Sequence, residues 1–246
     1  MESERRRARI VELVRSREFV RVADLGEIFG VSSVTVRGDL DVLAARGDLR
    51  RIRGGAISQE APRAVDPADE PDAIGRLAAG LLRSGECACL DAGATGLARA
   101  LAARTDLREA VVVTNGLEVA RLLEPAIPRL TVIVSGGTLA PGQGLVDPLG
   151  DLVMGRLRAD AAFMTCAALD AAGGATDPDL RAAAVKRRML EAARRRVVLV
   201  PGAGIGAVRT AAVCAVDDVD VLVTGPGAAP AALEELGERG VEVMVA

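Results

Sequence analysis

Apolar positions recur at helical spacing through the first 57 residues. Ile10, Leu13 and Val14 form a stripe within Arg5–Ser16, and Leu25, Ile28 and Phe29 form a second within Val22–Phe29, ended by Gly30. Ser32 is placed to cap a third helix whose inner face is Val36, Leu40 and Leu43, at i, i+4 and i+7, with Gly47 beyond its end. A short strand over Leu49–Arg53, a tight turn at Gly54 and Gly55, and a return through Ala56 and Ile57 complete a winged helix-turn-helix. From Ile74 onward the pattern changes. Short Val-rich runs (Glu86–Leu90, Ala110–Thr114, Leu130–Val134, Ala161–Met164, Val197–Val200, Val219–Val223, Val241–Val245) alternate with helical stripes (Ile74–Leu82, Gly96–Ala103, Leu117–Leu123, Leu180–Ala193, Ala231–Leu236). That alternation predicts an α/β body, a Rossmann-like and mostly parallel sheet covered by helices on both faces, with a Gly- and Pro-rich loop after Val134. Between the two patterns Ser58–Asp72, rich in Pro, Ala and acid, lacks apolar periodicity. The chain therefore divides into a head (1–57), a linker (58–72) and a body (73–246).

Composition narrows the chemistry. Half of the 246 residues are hydrophobic but only 1% are aromatic, with no Trp or Tyr, so Ala, Val and Leu must fill the core and base stacking on aromatic rings is disfavoured. Histidine is absent, which removes His-based triads and most zinc sites. Cys87, Cys89, Cys166 and Cys214 lack metal-ligand spacing and read as reduced core residues, so no metal is expected. No apolar run reaches the ~18 residues of a membrane helix, and no signal-peptide segment follows the Arg-rich start, so a cytoplasmic protein without membrane contact is expected. The net charge of −3 hides an asymmetry: residues 1–57 hold 12 basic and 9 acidic side chains, and the rest hold 19 and 25. A basic head on an acidic body points to nucleic acid contacts by the head.

With Val36, Leu40 and Leu43 turned inward, Ser33, Thr35 and Arg37 point outward near the start of the third helix, the end that enters a major groove. Arg37 can pair with guanine or bind phosphate, and Ser33 and Thr35 can hydrogen-bond either. Arg50, Arg51 and Arg53 on the wing would follow the adjacent backbone. The competing reading is a solvated face of a small protein-interaction domain. Ala23–Leu40 resembles the DeoR-type helix-turn-helix: Val31, Ser32, Thr35, Val36, Arg37, Asp39 and Leu40 match its pattern, and Gly54-Gly55-Ala56 matches its wing ending. Gly38 stands where the family has a second Arg, and Arg53 where it usually has His. The resemblance implies a double-stranded DNA operator as partner. A homo-oligomer fits, because operator repeats mirror protein symmetry.

In the body, the strand ending at Leu90 runs into Asp91-Ala-Gly-Ala-Thr95 and then a helix, so loop N–H groups at a positive helix end could hold a phosphate. Two further strands end at Thr114-Asn115-Gly116 and Ser135-Gly136-Gly137, and such sheets bind ligands at the carboxyl ends of their strands. Each of these ends taken alone is equally a turn. Together they resemble the C-terminal sensor domain of the DeoR family, whose fold is related to ribose-5-phosphate isomerase and whose usual effectors are phosphorylated sugars. The resemblance assigns effector contacts to Asp91, Gly93, Thr95, Thr114, Asn115, Gly136, Gly137 and Lys186. Ala92 and Ala94 stand where the family carries hydroxyls, the acid usual a few residues before Lys186 is replaced around Ala182, and Pro201-Gly-Ala-Gly204 stands for an Asp-Ser-Ser-Lys loop. Lys186, the only Lys of the chain, is then the one cation of the site. Followed by Arg187 and Arg188 it reads equally as a surface residue, and Asp91 equally as a turn or cap.

These features describe a transcriptional regulator, a repressor of carbohydrate-related genes, governed by a small-molecule effector that is a phosphorylated sugar or an altered ligand. No cofactor and no catalytic residue are expected. Two alternatives stay open: an isomerase-like enzyme on sugar phosphates with an accessory head, and a regulator whose body only oligomerises. Gly202–Ala207 imitates a dinucleotide fingerprint, but Pro201 interrupts the turn and Val221–Val223 leads to Thr224-Gly225 instead of an acid.

Overall fold

A computed structural model describes residues 2–17, 19–52, 54–58, 69–146 and 149–246. The chain splits into two units, Met1–Ala64 and Val65–Ala246.

The first unit comprises α1 (Glu2–Arg17), β1 (Phe19–Arg21), α2 (Val22–Phe29), α3 (Ser33–Ala45), β2 (Leu49–Ile52) and β3 (Gly55–Ser58). Ile10, Val14, Leu25, Val36, Leu40, Leu43 and Leu49 are its buried core, so the inner face of α3 is the expected one. Ser32 caps α3 by accepting a hydrogen bond from Thr35 N at 3.2 Å, which satisfies one of the free N–H groups of the first turn. Two details differ from the sequence pattern. Ile28 is 48% exposed although it falls on the apolar stripe of α2, a helix of only 8 residues with room for few inward positions. The strand β1 pairs antiparallel with β3, giving the sheet order β1-β3-β2; three residues are too few to show a period of two.

The second unit is built on a seven-stranded, wholly parallel sheet of order β15-β14-β12-β9-β4-β5-β6. Its strands are β4 (Cys87–Leu90), β5 (Ala110–Thr114), β6 (Leu130–Val134), β9 (Ala159–Thr165), β12 (Ala193–Val200), β14 (Val221–Thr224) and β15 (Glu242–Val245). The helices are α4 (Glu70–Ala79), α5 (Thr95–Ala103), α6 (Leu117–Leu123), α7 (Leu149–Met154), α8 (Leu180–Glu191) and α9 (Pro230–Glu238). Alternate strand residues serve opposite faces. Cys89, Val113, Ala162, Met164, Val198 and Leu222 gather with Met189 and Leu190 of α8 and Leu236 of α9, while Leu90, Val112, Phe163, Val197 and Val223 are buried by the other period. The hairpin of β7 (Thr138–Ala140) and β8 (Gly144–Val146) and a small antiparallel sheet of β10 (Ala168–Asp170), β11 (Gly174–Asp177) and β13 (Ala211–Cys214) lie outside the sequence reading, being short and poor in periodicity. All four cysteines are free, and burial pushes the Cys89 thiol up to about 12.

Helix α4 begins at Glu70, inside the segment read as linker to Asp72; Pro71 in its first turn and the acids beside it suit a helix start. Residues 59–68 of that segment lie outside the described residues. Where α4 crosses α5, a Cβ on Gly75 would stand 2.3 Å from the Gly96 backbone. Only glycines allow that approach, and it fixes the start of α5. Connections leave β4 and β9, neighbours in the sheet, in opposite directions, so the switch point of the fold falls between Leu90 and Thr165.

Candidate functional site

Two surfaces carry chemistry, one in each unit. On α3, Ser33, Thr35 and Arg37 are all exposed, and Ser33 and Arg37, one turn apart, share a face. Thr35 Oγ1 lies 2.9 Å from Ser32 Oγ, so its hydroxyl also serves the cap. Arg50 is exposed on β2. Arg51 is not left along the wing: its Nη1 donates to the Arg37 carbonyl at 3.2 Å and pairs with the Asp41 carboxylate, tying β2 to α3. Arg53 lies outside the described residues. A residue not assigned a role from sequence proves central to the placing of α3. Asp39 is 3% exposed and accepts from Arg6 Nε at 2.6 Å and Arg7 Nε at 2.8 Å. Burial alone would raise its pKa, but the two guanidinium groups of α1 hold the carboxyl below the usual carboxylate range.

In the second unit a cavity of about 530 Å³ opens at the carboxyl ends of β4, β9 and β12, at the switch point. Its floor is ionic. Asp91 Oδ1 accepts from Thr165 N at 2.8 Å, and Asp91 Oδ2 from Thr165 Oγ1 at 2.7 Å and Gly93 N at 3.2 Å. A Cβ on Gly93 would stand 2.2 Å from Thr165 Oγ1, so glycine is required for this knot. Lys186 Nζ lies 2.5 Å from Asp177 Oδ2 and 3.5 Å from Asp91 Oδ2. Burial would push the Lys186 ammonium toward the neutral form; Asp91 and Asp177 reverse this and hold it above the usual lysine range. Asp179 caps α8, accepting from Arg181 N at 2.8 Å and Ala182 N at 3.0 Å, and these bonds, led by that from Ala182, hold it low.

The signature of the DeoR-like helix-turn-helix domain matches residues 6–61, and that of the DeoR C terminal sensor domain matches residues 67–226. The chain belongs to the DeoR family of transcriptional regulators. This DeoR-family chain is 31% identical to the transcriptional repressor AccR of Agrobacterium fabrum, over 90% of this chain and 89% of that protein. It is 29% identical to the HTH-type transcriptional regulator YulB of Bacillus subtilis, over 97% of this chain and 95% of that protein. It is 27% identical to the glycerol-3-phosphate regulon repressor of Haemophilus influenzae, over 92% and 90%.

Of the eight positions that the family resemblance assigns to an effector, the cavity wall of this DeoR-family protein brings together Asp91, Gly93 and Lys186. Thr95 begins α5 beside it, and its N–H donates to Gly93 O at 2.8 Å. Thr114, Asn115, Gly136 and Gly137 are not in that wall and have local work. Thr114 Oγ1 accepts from Gly116 N at 3.0 Å, and Asn115 Nδ2 donates to Gln143 O and Leu145 O, pinning the β7–β8 hairpin. Gly136 and Gly137 take positive φ angles of 79° and 131° at the entry to β7. Lys186 is buried, so the surface reading of it fails. An acid does stand beside Lys186: Asp177, nine residues before it, at the end of β11. Sequence reasoning missed Asp177, Thr165, Asp179 and Gln143. Asp179 carried a signal, an Asp directly before a helical stripe; the partnership of Asp177 carried none, because it is made across the fold. After Pro201 the chain forms one 3₁₀ turn over Gly202–Gly204 and then runs to β13, so no α-helix opens there as a dinucleotide site requires.

Proposed function

We propose that this regulator is a repressor of carbohydrate-related genes that holds duplex operator DNA with Ser33, Thr35 and Arg37 of α3 and Arg50 of the wing, and that a hydroxyl-rich small molecule in the cavity at Asp91, Thr165 and Lys186 governs that hold. The single observation that carries the reading is the second unit's cavity of about 530 Å³, polar at its floor and placed at the switch point of its sheet, in a chain whose first unit is a capped helix-turn-helix. The similarity to the glycerol-3-phosphate regulon repressor over 92% of this chain supports a small metabolite as the governing ligand.

The chemistry of the floor favours sensing over catalysis. A general base needs a free carboxylate or a neutral amine within reach of substrate. Here both Asp91 oxygens accept hydrogen bonds within the chain, Lys186 is held protonated between two carboxylates, and Asp177, the second of these, is ion-paired with that ammonium. Homo-oligomerisation is part of the proposal, supported by the open edge at β6 and by Ile133 and Val134 there, 42% and 41% exposed, with Leu149 and Leu152 of α7 at 56% and 65%.

Footprinting of the purified chain on its own upstream region tests the reading, with release followed by fluorescence anisotropy. A protected repeat whose occupancy falls or rises with one metabolite is the expected result. Absence of any sequence-preferring footprint would overturn the DNA reading, and turnover of a sugar phosphate would overturn the non-enzymatic one.

A further inference from the structure

Val34 is the most exposed large apolar side chain among the described residues, at 72%. It is the second residue of α3 and takes no part in the core of the first unit, which Val36, Leu40 and Leu43 build from the other side of the helix. At about 100° per residue, Val34, Arg37, Gly38 and Asp41 fall together on the outward face. Asp41, the acid of that face, is paired with Arg51.

A single exposed apolar residue is ordinary on a protein surface. Three features of this one are not. The residue type does not suit the helix: a β-branched side chain is a poorer helix former than Ala or Glu, and the first turn of a helix favours an acid. The first turn of α3 holds no acidic residue. Helix stability alone would place Ala or Glu at position 34, whereas a polyanion lying against that turn would repel Glu. Nor is Val34 covered from above. Helical side chains lean back toward the N-terminus, so residue i+4 overlies residue i. Position 38 is glycine, and a Cβ built there meets nothing within 4 Å. Finally, its neighbours are polar: Ser33 and Arg37 are exposed beside it, at the end of the helix that enters a major groove. An uncovered isopropyl group therefore stands within a face otherwise fitted for hydrogen bonding.

The base edges in the major groove of duplex DNA display donors, acceptors and one kind of methyl group, the C5-methyl of thymine. A valine side chain can neither donate nor accept, so the methyl is the group it matches. Resting on the reading of α3 as the DNA face, we infer that Val34 is a specificity-determining residue that reads a thymine. Its isopropyl group packs on the C5-methyl of one thymine per bound head, next to the base or phosphate met by Arg37. Gly38 keeps that contact open, because a long side chain there would lay its stem over Val34.

Uracil pairs as thymine does and lacks only this methyl, so it separates the contact from every hydrogen bond. A duplex that the full chain protects in its own upstream region, or selects from a random pool, is scanned with deoxyuridine one thymine at a time, with affinity read by fluorescence anisotropy. For wild type, one thymine in the segment faced by α3 should carry a loss of about four- to tenfold on exchange. Val34→Ala puts a better helix former at an exposed position and is expected to fold. It should bind the thymine duplex about as weakly as wild type binds the uracil one, and the exchange should then cost it less than about twofold. Ile28→Ala, which trims another exposed apolar side chain of the first unit, should keep the full methyl dependence. The inference is overturned, with the DNA face intact, if no exchange shifts wild-type affinity by about twofold or if Val34→Ala stays as sensitive as wild type. Failure to find any sequence-preferring duplex would instead overturn the DNA reading on which it rests.

Discussion

The α3 face of the first unit and the cavity floor of the second both carry charge, and they deploy it in opposite ways. On α3 the polar side chains Ser33 and Arg37 are left to solvent, and the buried charge behind them, Asp39, is matched by Arg6 and Arg7. In the cavity the charged groups are the buried ones, and they are spent on each other: Lys186 on Asp177 and Asp91, Asp91 on Thr165 and Gly93. An open cationic face gains from a partner that brings the opposite charge, as a phosphate backbone does. In the floor each buried charge depends on its partner, so removing one leaves the others uncompensated.

The largest effect expected from breaking this contrast is in the floor. Lys186→Met leaves Asp91 and Asp177 buried without their cation, and breaking such a buried pair costs about 3 to 5 kcal/mol. Denaturant unfolding of the variant should show a second-unit transition displaced by that amount. A change under about 1 kcal/mol would mean that the ammonium is solvated and that the floor resembles the open face after all.

Next is the matched charge under the open face. Asp39→Ala takes the shared carboxylate from Arg6 and Arg7 and is expected to cost about 2 to 3 kcal/mol, less than a fully enclosed pair because Arg6 and Arg7 are 16% and 21% exposed. The pH dependence has a definite sign. The folded-state pKa of Asp39 is depressed, so its contribution is complete above the unfolded carboxylate value of about 4 and is lost as pH falls through the lower folded value. Acid titration of the isolated transition of the first unit should therefore show wild type losing stability below about pH 4, and the variant losing less.

The same contrast decides what was legible in the sequence. The head was readable because its determinants are local: Ser32 caps by accepting from a donor three residues on, and Val36, Leu40 and Leu43 state their face by spacing. Five of the seven parallel strands differ from the expected bounds by one to four residues and two match, β5 and β6, since Val-rich runs of four or more announce themselves. The floor was only half readable. Asp91, Gly93 and Lys186 stood out, but the pairing of Lys186 with Asp177 arises because β11 ends opposite α8, and no spacing rule states that. Thr114, Asn115, Gly136 and Gly137 showed the converse: strand-end polar residues selected by their position in the sheet turned out to build turns and hold the β7–β8 hairpin.

A smaller effect sharpens the proposed DNA face itself. Arg37→Ala should weaken specific operator binding by about 1 to 3 kcal/mol if the guanidinium reads a base; if it meets only phosphate, all sequences should weaken alike and the salt slope should fall by about one. Arg51→Ala is the contrasting variant. Its Nη1 is held by Asp41 and the Arg37 carbonyl, so it should change affinity by less than Arg37→Ala and act through the position of α3. Equal losses from both variants, with equal salt slopes, would show that Arg51 leaves its intramolecular partners to reach DNA.

The smallest expected change concerns Gly38, exposed in the middle of α3 where the family pattern has Arg. Its φ is not in the left-handed region, and a Cβ built there meets nothing within 4 Å, so neither backbone conformation nor space asks for glycine. A glycine in an exposed helix interior costs about 0.8 to 1 kcal/mol against alanine, partly through the freedom it gives the unfolded chain. Gly38→Ala should therefore stabilise the first unit by about that amount, read as a raised midpoint of its thermal transition, with operator affinity unchanged. Gly38→Arg should show a smaller stability gain and in addition a tighter, more salt-dependent hold on any duplex, because it adds a cation one residue beyond Arg37. If Gly38→Ala instead lowers operator affinity while raising stability, the glycine serves the interface by letting α3 approach the DNA backbone closely, and its departure from the family pattern is a feature of how this head binds.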